Sequence, residues 1–264
     1  MVNIKPYFSV GAATLTMCLA GCGGGDSTAG GEFINATSTS STATTATPEG
    51  LYAGIASNGR YFNTLVLENN QYYILYGGVA GDSFGVAGLI TGTGQSVNGS
   101  FTSADAREFP ALGVPILGTL SGSYVSGASF SAVLTTRGTA VTYAGTSSAL
   151  ATYAYHTRAR LEDIAGVWNL FTAAGIPATL TISSTGTYTG TSAGCDFSGT
   201  FTPRASGKNV FDVTIRFGPS PCLLADQVAT GHAVSYLLRD GKRQLLVAGS
   251  DVTRSVATVL AGLR

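Results

Sequence analysis

Residues 210–217 read VFDVTIRF. Phe211, Val213, Ile215 and Phe217 alternate with Val210, Asp212, Thr214 and Arg216, a period of two that specifies a strand with one buried face. Seven further segments around it have the same texture, and together they place strands at 164–170, 178–183, 187–191, 195–202, 209–217, 231–239, 242–248 and 254–260. Turn residues separate them. Asp240-Gly241, like Asn69-Asn70 earlier in the chain, suits a two-residue hairpin loop that tolerates positive φ, and STG at Ser184 suits a three-residue loop. Sequential hairpins without a long crossover point to an up-and-down sheet, and eight strands suffice to close it and remove its edges.

The same pattern occurs twice. GLY at Gly50 aligns with GVW at Gly166, and TLVLE at Thr64 with TLTIS at Thr179. TRGTAVTYAG at Thr136 aligns with TRSVATVLAG at Thr253. Equal spacing at both ends indicates a duplication. The expected fold is therefore all-β, with two small antiparallel up-and-down barrel-like domains in tandem at 49–148 and 164–264, joined by a connector at 149–163. Glu162 and Asp163 are adjacent, so they are not an acid and base pair, and they begin a short helix or turn before Gly166.

Composition narrows the function. Charged residues make up 11% of the 264 and the formal net charge is zero, so no long-range field gathers nucleic acid. From Gly23 to Pro48 the chain is Gly, Ser, Thr and Ala with hardly a residue to bury, which gives a flexible tether over 22–48. Upstream, Lys5 and the apolar run Val10–Ala20 read as a secretory signal at 1–21, too short for an ordinary membrane span.

Leu19, Ala20, Gly21 and Cys22 resemble a bacterial lipobox. The resemblance implies that Cys22 is acylated and becomes the first mature residue, so that the protein meets the membrane through a lipid anchor. Gly23 is not the Asp that marks inner-membrane retention, which implies the outer membrane of a diderm bacterium. Cys18 leaves with the signal, and Cys195 and Cys222 remain as a pair in an oxidising compartment, where a disulfide is expected and metal binding is the weaker alternative.

The GVW start, followed 86 residues after Trp168 by Arg254 near the last strand, resembles the calycin pattern of lipocalins and avidins. That resemblance implies that Trp168 closes one end of its barrel with Arg254 lying across it, and that Tyr52 and Arg137 repeat the arrangement. With RASGKNVFDVT at Arg204 and the cysteine pair, the chain is also similar to β-rich proteobacterial outer-membrane lipoproteins, a likeness that implies no activity.

Catalytic machinery is not legible. GDSFG at Gly81 and GTSAG at Gly190 fit G-x-S-x-G, but neither Ser83 nor Ser192 precedes a helix, so both read as surface turns. His156 lies in the connector beside Arg158 and Arg160, as a solvated interdomain residue. His232 begins a strand with Val234, Tyr236 and Leu238 on its face and reads as a strand-end histidine bonded to backbone rather than a base or ligand in the barrel mouth, because no carboxylate partner is near it in sequence. SGKN lacks the flanking residues of a phosphate loop. No cofactor is expected.

The hairpin RYFNTLVLENNQYYILYGG (60–78) is apolar on both faces. A two-residue loop at Asn69-Asn70 puts Leu65, Leu67, Tyr72, Ile74 and Tyr76 on one face and Phe62, Val66, Tyr73 and Leu75 on the other. The surplus face must meet the second domain, as the conservative choice, or else a protein partner or ligand. The leading expectation is a non-catalytic, lipid-anchored envelope protein presenting its barrels to a macromolecular partner. The alternative is a carrier of a small apolar ligand in the second barrel, which Trp168, Phe197, Phe201, Phe211 and Phe217 would fill completely if it is narrow. A serine hydrolase is a distant third.

Overall fold

A computed structural model describes residues 46–111, 114–150 and 152–264. Barrel 1 consists of β1 (Gly50–Ile55), β2 (Tyr61–Val66), β3 (Gln71–Ala80), β4 (Ser83–Thr93), β5 (Gln95–Val97), β6 (Ser100–Pro110), β7 (Ile116–Val125), β8 (Ser129–Thr136) and β9 (Thr139–Thr146). Neighbours in sequence pair antiparallel except β4 and β5, β1 also pairs β9, and β4 pairs β6. The ring therefore closes with eight strands, and short β5 extends one edge of β6. Barrel 2 consists of β10 (Gly166–Thr172), β11 (Pro177–Ile182), β12 (Thr187–Ser192), β13 (Cys195–Pro203), β14 (Phe211–Phe217), β15 (Val228–Leu237), β16 (Arg243–Ser250) and β17 (Ala257–Leu263). These eight form a closed ring in chain order. The architecture is all-β, two up-and-down barrels in tandem. The tight rings need glycine where strands pass closely: a Cβ on Gly231 would lie 1.9 Å from the Ala248 carbonyl oxygen.

The first hairpins of the two barrels share one register. Gly50 opposes Val66 and Tyr52 opposes Thr64; Gly166 opposes Ile182 and Trp168 opposes Leu180. Thr64 thus corresponds to Leu180, one residue beyond the Thr179 of the sequence alignment. Tyr52 Oη donates to the Pro48 carbonyl oxygen at 3.0 Å, and Trp168 Nε1 donates to that of Ile164 at 2.6 Å, both four residues back.

Two loops differ from expectation. Leu67 N donates to Gln71 O and Asn70 N to Leu67 O, so Glu68, Asn69 and Asn70 form a three-residue loop with Asn70 at φ 61°. Arg239, Asp240 and Gly241 do the same, with Leu238 N donating to Lys242 O and Gly241 at φ 82°. In both, a type I turn ends in a left-handed residue that restores the strand twist. One added residue inverts the pairing parity. Phe62 therefore faces Tyr76, Val66 faces Tyr72, and Leu65 faces Tyr73.

The hairpin's inner face is accordingly Phe62, Val66, Tyr72, Ile74 and Tyr76. It packs with Tyr52, Phe101, Tyr124, Phe130 and Tyr143 into a core of mostly aromatic rings inside barrel 1. Leu65, Leu67, Tyr73 and Leu75 point outward. With Leu51, Phe84, Val86 and Leu89 they bury against Val234, Tyr236, Leu246, Ala248, Val259 and Ala261 of barrel 2. The possible binding surface of Phe62, Val66, Tyr73 and Leu75 is thus corrected: all four are buried, the first two inside barrel 1 and the last two between the barrels, the interdomain packing that was the conservative choice.

Polar contacts fix the docking. Gln244 is fully buried; its Oε1 accepts Phe84 N at 3.0 Å, and its Nε2 donates to Phe84 O and Gly262 O. Lys208 pairs with Glu49 at 3.0 Å and Arg204 with Glu68 at 2.8 Å. The connector joins in: Tyr155 is buried in the interdomain core, Asn209 N donates to its carbonyl oxygen, and Leu161–Asp163 forms a single 3-10 turn. Residues 46–48, which composition places in the tether, lie on barrel 1, where Tyr124 Oη donates to Ala46 O and Ser126 Oγ to Thr47 O. Thr44–Arg264 forms one compact unit that contains all three apolar cores, so it carries what it needs to fold by itself. The signal, Cys18, Cys22 and the rest of the tether lie outside the described residues.

Candidate binding pocket at the mouth of barrel 2

Up-and-down topology decides which residues meet at each end of a barrel. Trp168 stands early in β10, at the end where β17 finishes, and Arg264 lies over its indole with the guanidinium 4.9 Å from the ring centroid. Such a contact contributes about 0.5–2 kcal/mol. Arg254 does not lie across Trp168, and the expectation is corrected here. It sits at φ 55° in the β16–β17 loop, at the opposite end, separated from Trp168 by the length of β17. Its guanidinium instead bonds Asp105 Oδ2 at 2.7 Å and Thr91 O at 2.7 Å, tying that loop to barrel 1. Arg137 is likewise exposed in the β8–β9 turn at φ 49°, across barrel 1 from Tyr52. Tyr52 stacks on Phe130. The cation over Trp168 is thus Arg264, which lies outside the GVW and Arg254 pattern.

With Trp168, Phe201 and Phe211 buried toward the arginine end, barrel 2 is closed there. The other end is not. An apolar pocket of about 300 Å³ opens among the loops, lined by Leu180, Phe197, Ile215, Phe217, Val247 and Leu260 from the barrel. Complete filling by the five aromatics is therefore corrected: Phe197 and Phe217 stand at the mouth with ring centroids 6.2 Å apart and leave space beneath. Phe109, Pro110 and Ala111 of barrel 1 form part of the wall.

The outer wall is the β14–β15 loop, which contributes Pro221, Leu223 and Leu224. The Cys195–Cys222 disulfide fastens this loop to the start of β13. Gly218 N reinforces it by donating to Asp196 O at 2.8 Å. On the opposite side Asp251 organises the β16–β17 loop, its Oδ1 accepting Ser255 N and Val256 N at 2.8 and 2.7 Å. Burial would raise the Asp251 pKa, but hydrogen bonds from the Thr253 hydroxyl and backbone, from Val256 N and from the Ser255 hydroxyl outweigh it and hold it at about 2.

Away from the pocket, the interdomain seam carries a titratable cluster that sequence order concealed. Asp212 and His232 are cross-strand partners on the outer face of barrel 2. Arg204 Nη1 donates to Asp212 Oδ1 at 2.7 Å and to His232 Nε2 at 3.2 Å, while Tyr73 of barrel 1 packs over the imidazole with ring centroids 5.1 Å apart. Burial first, then the Arg204 charge, lowers the His232 pKa to about 4, against the smaller opposing effects of Asp212 and Glu68. The ring is therefore neutral at pH 7, and its 3.8 Å approach to Asp212 is no ion pair. The sequence reading of a backbone-bonded strand-end histidine without a carboxylate is corrected, because the hairpin β14–β15 supplies Asp212 from twenty residues away. His156 is exposed, with Lys208 Nζ 3.1 Å from its Nδ1.

The two G-x-S-x-G runs occupy strand–turn–strand corners. Ser83 opens β4 opposite Ala80, and Ser192 Oγ donates to the Pro177 carbonyl oxygen at 2.9 Å. Among the described residues, no three His, Cys, Asp or Glu side chains converge as metal ligands, and no helix is long and apolar enough to cross a membrane.

No protein-family model matches the chain, and no curated protein matches it. Among solved structures it is similar to the isotype 1 transferrin-binding protein B from serogroup B Neisseria meningitidis, with 10% identity and a TM-score of 0.25. The match covers 78% of this chain and 58% of that one, so this chain spans less than two thirds of that protein's length.

Proposed function

We propose that the chain is a non-catalytic binding protein of the cell envelope, held at the outer membrane by lipid on Cys22, with the mouth of barrel 2 as its working site. The supporting observation is the apolar pocket of about 300 Å³, within the size range of small-molecule sites. The burial of Phe62, Val66, Tyr73 and Leu75 moves any partner surface away from the aromatic hairpin and toward this mouth. The pocket supports the small-ligand reading directly, and it fits the macromolecular reading through a partner that inserts an apolar group. The pocket's volume favours an apolar group over a flat protein contact.

The test uses residues 44–264 titrated with N-phenyl-1-naphthylamine, an uncharged dye that brightens in apolar sites. Saturable one-to-one binding is expected, weakened at least tenfold by Ala174→Trp, which places a large side chain on an exposed loop residue lining the mouth. Dye affinity unchanged by that substitution, or no binding, contradicts the reading. The anchor is tested separately in cells: Cys22→Ala is expected to move the protein from the membrane fraction to the soluble fraction and abolish palmitate labelling.

A further inference from the structure

What enters the pocket can be specified further, on the footing that the barrel-2 mouth is the binding site. Its lining contains no charged side chain. Three of its polar groups are already engaged: Tyr188 Oη donates to Thr214 O at 2.9 Å, Ser192 Oγ to Pro177 O at 2.9 Å, and Thr172 Oγ1 accepts Ile176 N at 3.1 Å. A charged or strongly polar group buried here would lose its water without replacement, at a cost that excludes it. The interior therefore selects hydrocarbon.

The rim selects a second property. Leu223, 80% exposed, and Ile176, 42% exposed, line the opening with apolar side chains turned to solvent. About 300 Å³ is at the small end for engulfing an entire ligand, so a larger molecule would have only part of itself inside. We propose that the pocket takes the alkyl chain of an amphiphile, whose headgroup stays in water beyond Leu223 and Ile176. The headgroup makes no specific contact. Chain length sets affinity, and the disulfide-held loop bearing Leu223 and Leu224 sets how deep the chain is covered.

The experiment displaces N-phenyl-1-naphthylamine from residues 44–264 with n-alkyl glucosides of increasing length, each below its micelle concentration. Affinity is expected to rise about fourfold per added methylene, the increment for burying one CH₂, and to level off once the pocket is full. At fixed length, exchanging the glucoside for a sulfate or a trimethylammonium headgroup is expected to change affinity by less than one methylene does. Leu223→Asp and Ile176→Asp, both at exposed positions, are expected to weaken the longer chains tenfold or more. Displacement independent of chain length overturns the inference while leaving the binding site in place. So does stronger displacement by N-acetyl-phenylalaninamide than by any alkyl glucoside, which assigns the pocket to a protein side chain. Failure of the dye itself to bind removes both readings.

Discussion

Replacing Cys195 and Cys222 together by serine is expected to destabilise residues 44–264 by about 3–4 kcal/mol, the chain-entropy value for a loop of this length. The residues lie 27 apart in sequence, and their link spans β13, β14 and the loops around them. Without it the unfolded chain regains the freedom of that segment. In the folded state the β14–β15 loop would keep its backbone bonds, Gly218 N to Asp196 O and Asp226 N to Gly218 O. The pocket wall loosens around the anchors that remain. Urea unfolding of the double variant should show a lower midpoint with an equal or steeper slope, because the unlinked unfolded chain is less compact, and dye affinity should fall in the same sample. An unmoved midpoint would mean that the disulfide adds nothing to stability.

Acid is expected to cost the protein about 3 kcal/mol through His232 alone. Its pKa falls from 6.5 in the unfolded chain to about 4 in the fold, and a tenfold difference in proton affinity between the two states corresponds to about 1.36 kcal/mol. Between those values the unfolded state holds a proton that the folded state does not. Stability is therefore complete above about pH 6.5 and declines as pH falls toward 4. Arg204, Asp212 and Tyr73 face the ring, and Glu68 pairs with Arg204 beyond it. Glu68 has its pKa lowered: burial would raise it, but hydrogen bonds and the Arg204 charge prevail. It adds a further loss at lower pH. His232→Gln, which keeps an acceptor for Arg204 but does not titrate, is expected to flatten the slope between pH 6.5 and 4 and to leave the lower limb intact. Guanidinium midpoints across that range measure it. A slope that survives the substitution would assign the acid sensitivity elsewhere.

The two experiments probe separate parts of the tandem arrangement. Two barrels on one chain can bury the outer face of the first against the second, which makes an interdomain core with Gln244, Arg204 and His232 caught in it. The second barrel is left with one end closed by Trp168 and Arg264 and the other open to a ligand.

Much of this was written locally. Period-two alternation at 210–217, turn residues at regular intervals and the repeated GLY and GVW starts determine the strands and their antiparallel succession. They also determine that there are two closed units, because such patterns depend on neighbours a few residues apart. The cysteine pair follows once the lipobox resemblance assigns Cys22 to lipid and Cys18 to the signal. Even the surplus apolar face of the 60–78 hairpin showed that something must cover it.

What lay beyond the sequence's reach depended on single-residue offsets and on end-to-end geometry. A third residue in the Glu68–Asn70 loop exchanged the hairpin's faces, since side chains alternate with every residue and parity admits no partial error. Arg254 and Arg264 differ by one strand's length, which places them at opposite ends of barrel 2. His232 and Asp212 became neighbours only when β14 and β15 paired. The pocket is the most tertiary feature of all: its wall draws on both barrels and on the loops between their strands, and its size is a balance of side-chain volumes that no single stretch of chain contains.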